Sequence, residues 1–382
     1  MECEKLFSAI DRLNDAYVKF WIDACNIESP TDFKEGVDKC GALFIEKAKE
    51  YGFDIDIHEE SVSGNCICIT MNANSDAAPI VFSGHLDTVH PIGMFGNPPV
   101  RCDADTIYGP GVCDCKGGAV ASLLAMAALH ECGFTLRPVK LLLQSDEENG
   151  SRTSGKATVK YMCRQSQGAV AFLNTEPHRP GSVAITRKGI SKYLFEITGK
   201  AVHASMCYNG ASAIAEAAHK ILELEKLKDE DGITCNCGII KGGTAENTVP
   251  EKCTFTADIR FATDEQREEA DRLIEEITNK SFIEGTKCIT RLLSYRVAME
   301  KKDENLALLD KINTIYKENG LPELYGREVK SGSDASDLSA FGIPTLDSLG
   351  AEGLGIHSIN EHAHISSLAE SAKRLASVAY CI

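Results

Sequence analysis

The sequence predicts an α/β protein: a three-layer domain with a mostly parallel sheet, interrupted by an inserted α+β domain. Three observations predict it. Short continuous apolar runs alternate with helical periods through the first half of the chain, as buried strands joined by helices do. Over 187–297 the order becomes strand, helix, strand, strand, helix, strand, the split βαβ (ferredoxin-like) sandwich, which is a unit in itself. Beyond it helices and one buried strand resume, so 1–186 and 298–382 are assigned to a single domain. A chain of 382 residues suits two or three compact units, at roughly 100 to 200 residues each.

The elements follow in order. Residues 1–27 carry acidic groups throughout, with Leu6, Ile10, Leu13, Tyr17 and Trp21 at helical spacing, so they read as an amphipathic helix and not as a signal peptide. Pro30 and Thr31 open a second helix over 33–51 that Gly52 stops, and strands follow at 53–58 and 66–71. The run 78–83 (APIVFS) reads as a buried parallel strand, and 116–132 as an alanine-rich helix closed by Gly133. A strand at 139–144, a helix at 155–164 and a strand at 169–174 complete this half. The insert supplies strands at 191–198, 233–240, 252–261 and 288–298 and helices at 211–227 and 264–280. A helix at 304–318, a strand at 343–349 and a helix at 366–380 close the chain.

Composition excludes several functions. Acidic residues outnumber basic ones, 56 to 40, for a net charge of −16, the wrong sign for tracking nucleic-acid phosphates or anionic lipid. No apolar run reaches the length of a membrane span. The 16 cysteines include no C-x-x-C pair. The C-x-C pairs Cys66/Cys68, Cys113/Cys115 and Cys235/Cys237 are expected to share a strand face, as reduced, small hydrophobic residues of a cytoplasmic protein.

In open α/β sheets ligands bind outside the carboxyl ends of the strands, and titratable residues collect there. His85 and Asp87 follow the 78–83 run, Glu147 and Glu148 follow 139–144, Glu176 follows 169–174, and a glycine-rich loop after 343–349 leads to His357. Asp114 stands in the turn YGPGVCDCKGG at a helix entry. Two histidines with several carboxylates are a set that zinc accepts in hydrolytic sites, with manganese or cobalt as substitutes. Asp114, the only acid in its turn, is placed to bridge two ions, and a pair about 3.5 to 4 Å apart would polarise a carbonyl and acidify a shared water. Glu147 and Glu148, if extended, point in opposite directions, so one ligates and the other serves as general base. Asp87 is placed to hydrogen-bond behind His85. His362 and His364 compete with His357 for the metal.

GHLDTVHP (84–91), YGPGVCDCKGG (108–118), SDEENGS (145–151), NTEP (174–177) and GLGIHSINEH (353–362) resemble, in order and spacing, the motifs of the di-zinc metallopeptidases that include glutamate carboxypeptidases, aminoacylases, succinyl-diaminopimelate desuccinylase and peptidase T. GKAVHAS (199–205), KGGTAENTVPEKC (241–253), TADIRF (256–261) and SGSDASD (331–337) extend the likeness over nearly the whole chain. The resemblance implies that Asp114 bridges two zincs, one completed by His85 and Glu176, the other by Glu148 and His357, with Glu147 as the base and Asp87 behind His85. It implies a cis peptide between Asp114 and Cys115, and makes the insert a lid through which two chains form a homodimer. His203 would reach the partner subunit's site to stabilise an oxyanion, while Asn247 and Arg260 would hold a substrate carboxylate. Arg260 alternates with Asp258 on a predicted strand, so a plain ion pair competes with that role. Cys113 and Cys115 flank Asp114, where methionine often follows in the family, and invite soft metals or oxidation.

The expected function is therefore that of a co-catalytic zinc amide hydrolase acting on a small peptide or N-acyl amino acid. A hydroxide generated at the metals would attack, and Glu147 would ferry the proton. Glu rather than Asp at position 176 inclines the resemblance towards a glutamate carboxypeptidase, with an N-acyl-amino-acid deacylase or dipeptidase as the near alternative. A non-catalytic metal-binding dimer would be expected to lack a ligand or the base, and here every such group is present.

Overall fold

The structure, a computed structural model, describes residues 3–382; Met1 and Glu2, part of the predicted first helix, lie outside the described residues. The chain divides into two compact units, one built from residues up to 185 with 301–328 and 333–382, the other from 186–300 with 329–332.

In the first unit, six strands order as Asp54–His58, Cys66–Met71, Val139–Gln144, Ile80–His85, Ala171–Asn174 and Thr345–Leu346. The last three pairings are parallel, while the two at the Asp54–His58 edge are antiparallel. Successive side chains leave a strand on opposite faces, and both faces here are covered. Ile80, Phe82, Leu141, Leu143, Ala171 and Leu173 enter one core with the helices Glu4–Cys25, Lys34–Lys49, Lys116–Glu131, Asp303–Glu318 and Ser367–Cys381. The intervening Val81, Leu142 and Phe172 enter a smaller core with Val159 and Met162 of the helix Ala157–Gln165 and Leu338 of Ala335–Ala340. The result is a three-layer α/β domain. Burying each of these larger side chains contributes about 1.5–3 kcal/mol.

The second unit is a four-stranded antiparallel sheet in the order Thr234–Gly242, Lys252–Phe261, Gly189–Thr198, Lys287–Arg296. Two helices, Ala213–Leu224 and Asp264–Asn279, pack on it through Ala217, Leu224, Ala270 and Ile274, which meet the strand residues Phe195, Ile197, Phe255 and Ile259. The rings of Phe195 and Phe255 stack at 4.4 Å. This is the expected βαββαβ arrangement.

Several short elements depart from expectation. The predicted strand over 343–349 reduces to Thr345–Leu346, an edge strand too short to show a periodicity. The strands Ser182–Arg187 and Tyr325–Val329 pair with each other and were not predicted. A small sheet of Gly353–Leu354, His362–His364, Thr106–Tyr108 and Arg101–Asp103 was also unforeseen. It matters functionally, because it joins the turn bearing Asp114 to the loop bearing His357.

Candidate metal centre

His85 ends its strand and is buried. Its Nδ1 lies 2.9 Å from the backbone oxygen of Asp87. A carbonyl only accepts, so Nδ1 donates, and in the neutral ring Nε2 presents a lone pair. That atom is 3.1 Å from Asp114 Oδ1 and 3.7 Å from Glu176 Oε1. The second oxygen of Asp114, Oδ2, is 3.2 Å from His357 Nε2, which is also 3.2 Å from Glu148 Oε2. One buried carboxylate thus faces a histidine on each side.

Local backbone explains the convergence. Asp114 sits in the turn before the Lys116–Glu131 helix, and its peptide bond to Cys115 is cis. Gly118, in the first turn of that helix, lies so close to the strand end that an added Cβ would stand 2.0 Å from the Thr175 carbonyl oxygen. This close approach sets Glu176, the next residue, beside the turn. Glu147 and Glu148 are not extended as expected but form one 3-10 turn, Glu147–Asn149. Asp87 organises that turn: Oδ1 accepts from the Glu147 amide at 3.1 Å and Oδ2 from the Glu148 amide at 3.2 Å and the Thr31 hydroxyl at 2.7 Å. Its carboxylate stands 3.4 Å from His85 Nδ1, so the nearer contact behind His85 comes from its backbone. His357 holds a left-handed backbone, φ 60°, unusual for a residue with a side chain.

The electrostatics fit a cation site. Lone pairs of neutral imidazole and carboxylate converge and repel unless positive charge lies among them, as a proton or a metal ion. Hydrogen bonds to Asp114 and Glu148 push His357 up to about 10. Burial, then the charge of Asp114, pushes the Glu148 carboxyl up to about 8 and Glu176 well above the ordinary carboxylate range. Asp114, despite burial, is held below that range by His357 and His85. A pocket that keeps protons this firmly is one in which divalent cations compete for the same donors. Donor atoms of His85, Asp114 and Glu148 lie within 4.8 Å of one another, as do those of His85, Cys115 and Glu176, spacings open to metal bonds of about 2.0–2.3 Å.

The residues expected to belong to a lid, His203, Asn247 and Arg260, lie in the second unit. His203 is exposed, with Nδ1 2.9 Å from Ser205 Oγ, and the backbone oxygen of Asn247 accepts from the Ala204 amide at 2.8 Å, so these two predicted residues are neighbours. Arg260 donates from Nε to Asp258 Oδ1 at 2.8 Å, the competing ion pair foreseen from their alternation. His362 Nδ1 is 2.9 Å from the Asn360 backbone oxygen, and His362 and His364 belong to the small sheet outside the cluster.

The family description "Peptidase dimerisation domain" matches residues 185–286. Over 371 residues, 95% of this chain and 88% of the other, the sequence is 28% identical to carboxypeptidase G2 of Pseudomonas sp. (strain RS-16). This chain is thus similar to the M20 peptidases, in its inserted unit by that family description and over nearly its whole length by sequence. Among solved structures, a tripeptidase from Staphylococcus aureus matches with TM-score 0.79 at 22% identity, covering 96% of this chain and 98% of that one. An M20 family metallo-carboxypeptidase from Sulfolobus solfataricus matches with TM-score 0.72 at 16% identity, covering 95% and 98%. Both share the fold of this chain, a three-layer domain with an inserted βαββαβ unit. These likenesses support amide-hydrolase activity at a candidate di-metal site.

The contacts of three residues at this site could not be read from the sequence. Cys113 and Cys115 do not share a strand face: they lie in the turn around Asp114, and Cys115 Sγ accepts from the His85 amide at 3.0 Å. Burial pushes both thiols up. The third is Glu361, fully buried, whose Oε1 accepts from the amides of Cys113 at 2.9 Å and Asp114 at 3.0 Å. In the sequence Glu361 counts only as part of the motif that favours His357 as the ligand; its contacts, to backbone groups far away in sequence, are not marked there.

Proposed function

We propose that this chain is a co-catalytic di-zinc carboxypeptidase of the glutamate-carboxypeptidase type, cleaving an amide next to a free carboxylate. One observation carries the reading: Asp114 presents one oxygen to His85 and the other to His357. In this reading His85 and Glu176 would hold one ion, Glu148 and His357 would hold the other, and Asp114 would serve both. Two divalent ions there would polarise the scissile carbonyl and acidify water at neutral pH.

The chain's own groups do the rest. Glu147, adjacent to the ligand Glu148, takes a proton from water and returns it to the leaving nitrogen. Asp87 keeps both glutamates in register through their amides. His203 donates to the developing oxyanion, reaching the site of the partner chain in a dimer formed through the inserted unit. Asn247 and Arg260 receive the substrate's free carboxylate; Arg260 shares its guanidinium with Asp258, which fixes its plane for a two-point contact.

The test is Glu147→Ala with C-terminal glutamate conjugates as substrate. The variant keeps two ions per chain and loses about 10²–10⁴-fold in kcat, the range for a general base. Wild-type turnover in that variant would refute the assigned base. A panel of N-acyl amino acids and dipeptides run on the wild type separates the carboxypeptidase reading from a deacylase or dipeptidase.

A further inference from the structure

We propose that Glu361 is a positioning residue for Asp114, a clamp built into the loop that also carries His357. The inference rests on the reading of Asp114 as the bridging ligand and adds a residue to that site.

Three observations carry it. Glu361 is fully buried, and a single oxygen, Oε1, accepts from two consecutive amides, those of Cys113 and Asp114. Its backbone oxygen accepts from the Gly109 amide at 3.3 Å, at the other end of the same turn. The next residues, His362–His364, pair with Thr106–Tyr108, so the loop is locked by sheet register to the segment it clamps. From the other end of this loop His357 Nε2 meets the carboxylate of Asp114 at 3.2 Å. One loop therefore grips Asp114 twice, at the main chain through Glu361 and at the side chain through His357.

The remaining oxygen, Oε2, lies 3.4 Å from Nε2 of His90, itself buried and packed edge-on against Phe95 at 5.0 Å. That pair makes no hydrogen bond, so the grip on the turn does not depend on His90. Placing a carboxylate this deep, beside a cluster already rich in acids, is costly unless it is hydrogen-bonded. A turn needing only two satisfied amides has cheaper solutions, such as a hydroxyl or an ordered water. What a rigid carboxylate adds is a fixed Asp114 backbone, and so a fixed separation of the two faces its oxygens serve.

Two substitutions test this, with two readouts. In Glu361→Ala the amides of Cys113 and Asp114 lose their acceptor. In Glu361→Gln the side-chain carbonyl can still accept both. Zinc affinity is measured by chelator competition, and hydrogen exchange at the Cys113 and Asp114 amides is measured on the metal-free protein. The alanine variant is expected to bind zinc about 10–100-fold more weakly and to exchange those two amides faster, with the glutamine variant close to wild type on both. If the alanine variant does not fold, the glutamine variant decides: affinity and protection near wild type support the clamp, and loss of both overturns it. Wild-type affinity and protection in a folded alanine variant would also overturn it. A wild type that binds no zinc would refute the proposed function, while the exchange measurement, which needs no metal, would still decide the role of Glu361.

Discussion

Asp87 does two jobs through different atoms. Its backbone oxygen fixes the His85 ring, while its carboxylate holds the amides of Glu147 and Glu148. The two jobs are separable by mutation. Asp87→Ala keeps the carbonyl and frees the turn, so equilibrium dialysis should find metal affinity reduced about 10–100-fold; unchanged affinity would mean the turn holds itself. This division could not be read from an H-x-D motif, which says only that an acid stands near a histidine. The positions of His85, Asp114, Glu148, Glu176 and His357 were legible because each follows a strand or opens a helix, where an α/β sheet gathers its chemistry. Glu361 was visible only as part of the motif around His357; its role was not, because its contacts are to main-chain amides 248 and 247 residues away, and no side-chain pattern records such a contact.

Long elements were readable and short ones were not. Helices such as Lys116–Glu131 and strands such as Lys252–Phe261 repeat their pattern often enough to declare a period. Pieces of two or three residues, such as Gly353–Leu354 and Thr106–Tyr108, exist only because a distant partner pairs with them. The helix Ala213–Leu224 hides a different surprise, a buried ion pair between Glu216 and Lys220 at 3.1 Å. Glu216 also accepts from the amides of Phe282 at 2.9 Å and Ile283 at 2.7 Å, and Lys220 donates to the Ile277, Thr278 and Lys280 carbonyls. Removing one partner strands the other charge, so Glu216→Ala should cost the inserted unit about 3–5 kcal/mol, read from hydrogen exchange within that unit; a loss under about 1 kcal/mol, the ordinary worth of an exposed pair, would contradict it. Burial opposes the Glu216 carboxylate, but the Ile283 and Phe282 amides and Lys220 outweigh it and hold the carboxyl below its ordinary 4.5. Since the folded value is the lower one, this stabilisation is complete above about pH 4.5 and fades as the pH falls through the folded value. Glu216→Gln should therefore show a flatter acid limb than wild type.

At the scale of the whole molecule, the change of texture near position 187 was visible because a sheet with one covered face alternates, whereas a sheet covered on both faces runs apolar. Each unit has its own core, so the chemistry of one can be followed without unfolding the other. No helix among the described residues is long and apolar enough to cross a membrane. In the first unit three strand ends and two loops deliver acids and imidazoles to one place, and the account stands on what that place holds. Metal titration of the wild type beside Asp114→Ala tests it most directly: two ions per wild-type chain and neither retained tightly by the variant is the predicted result, whereas one ion or none in wild type, or two held undiminished by Asp114→Ala, would contradict it.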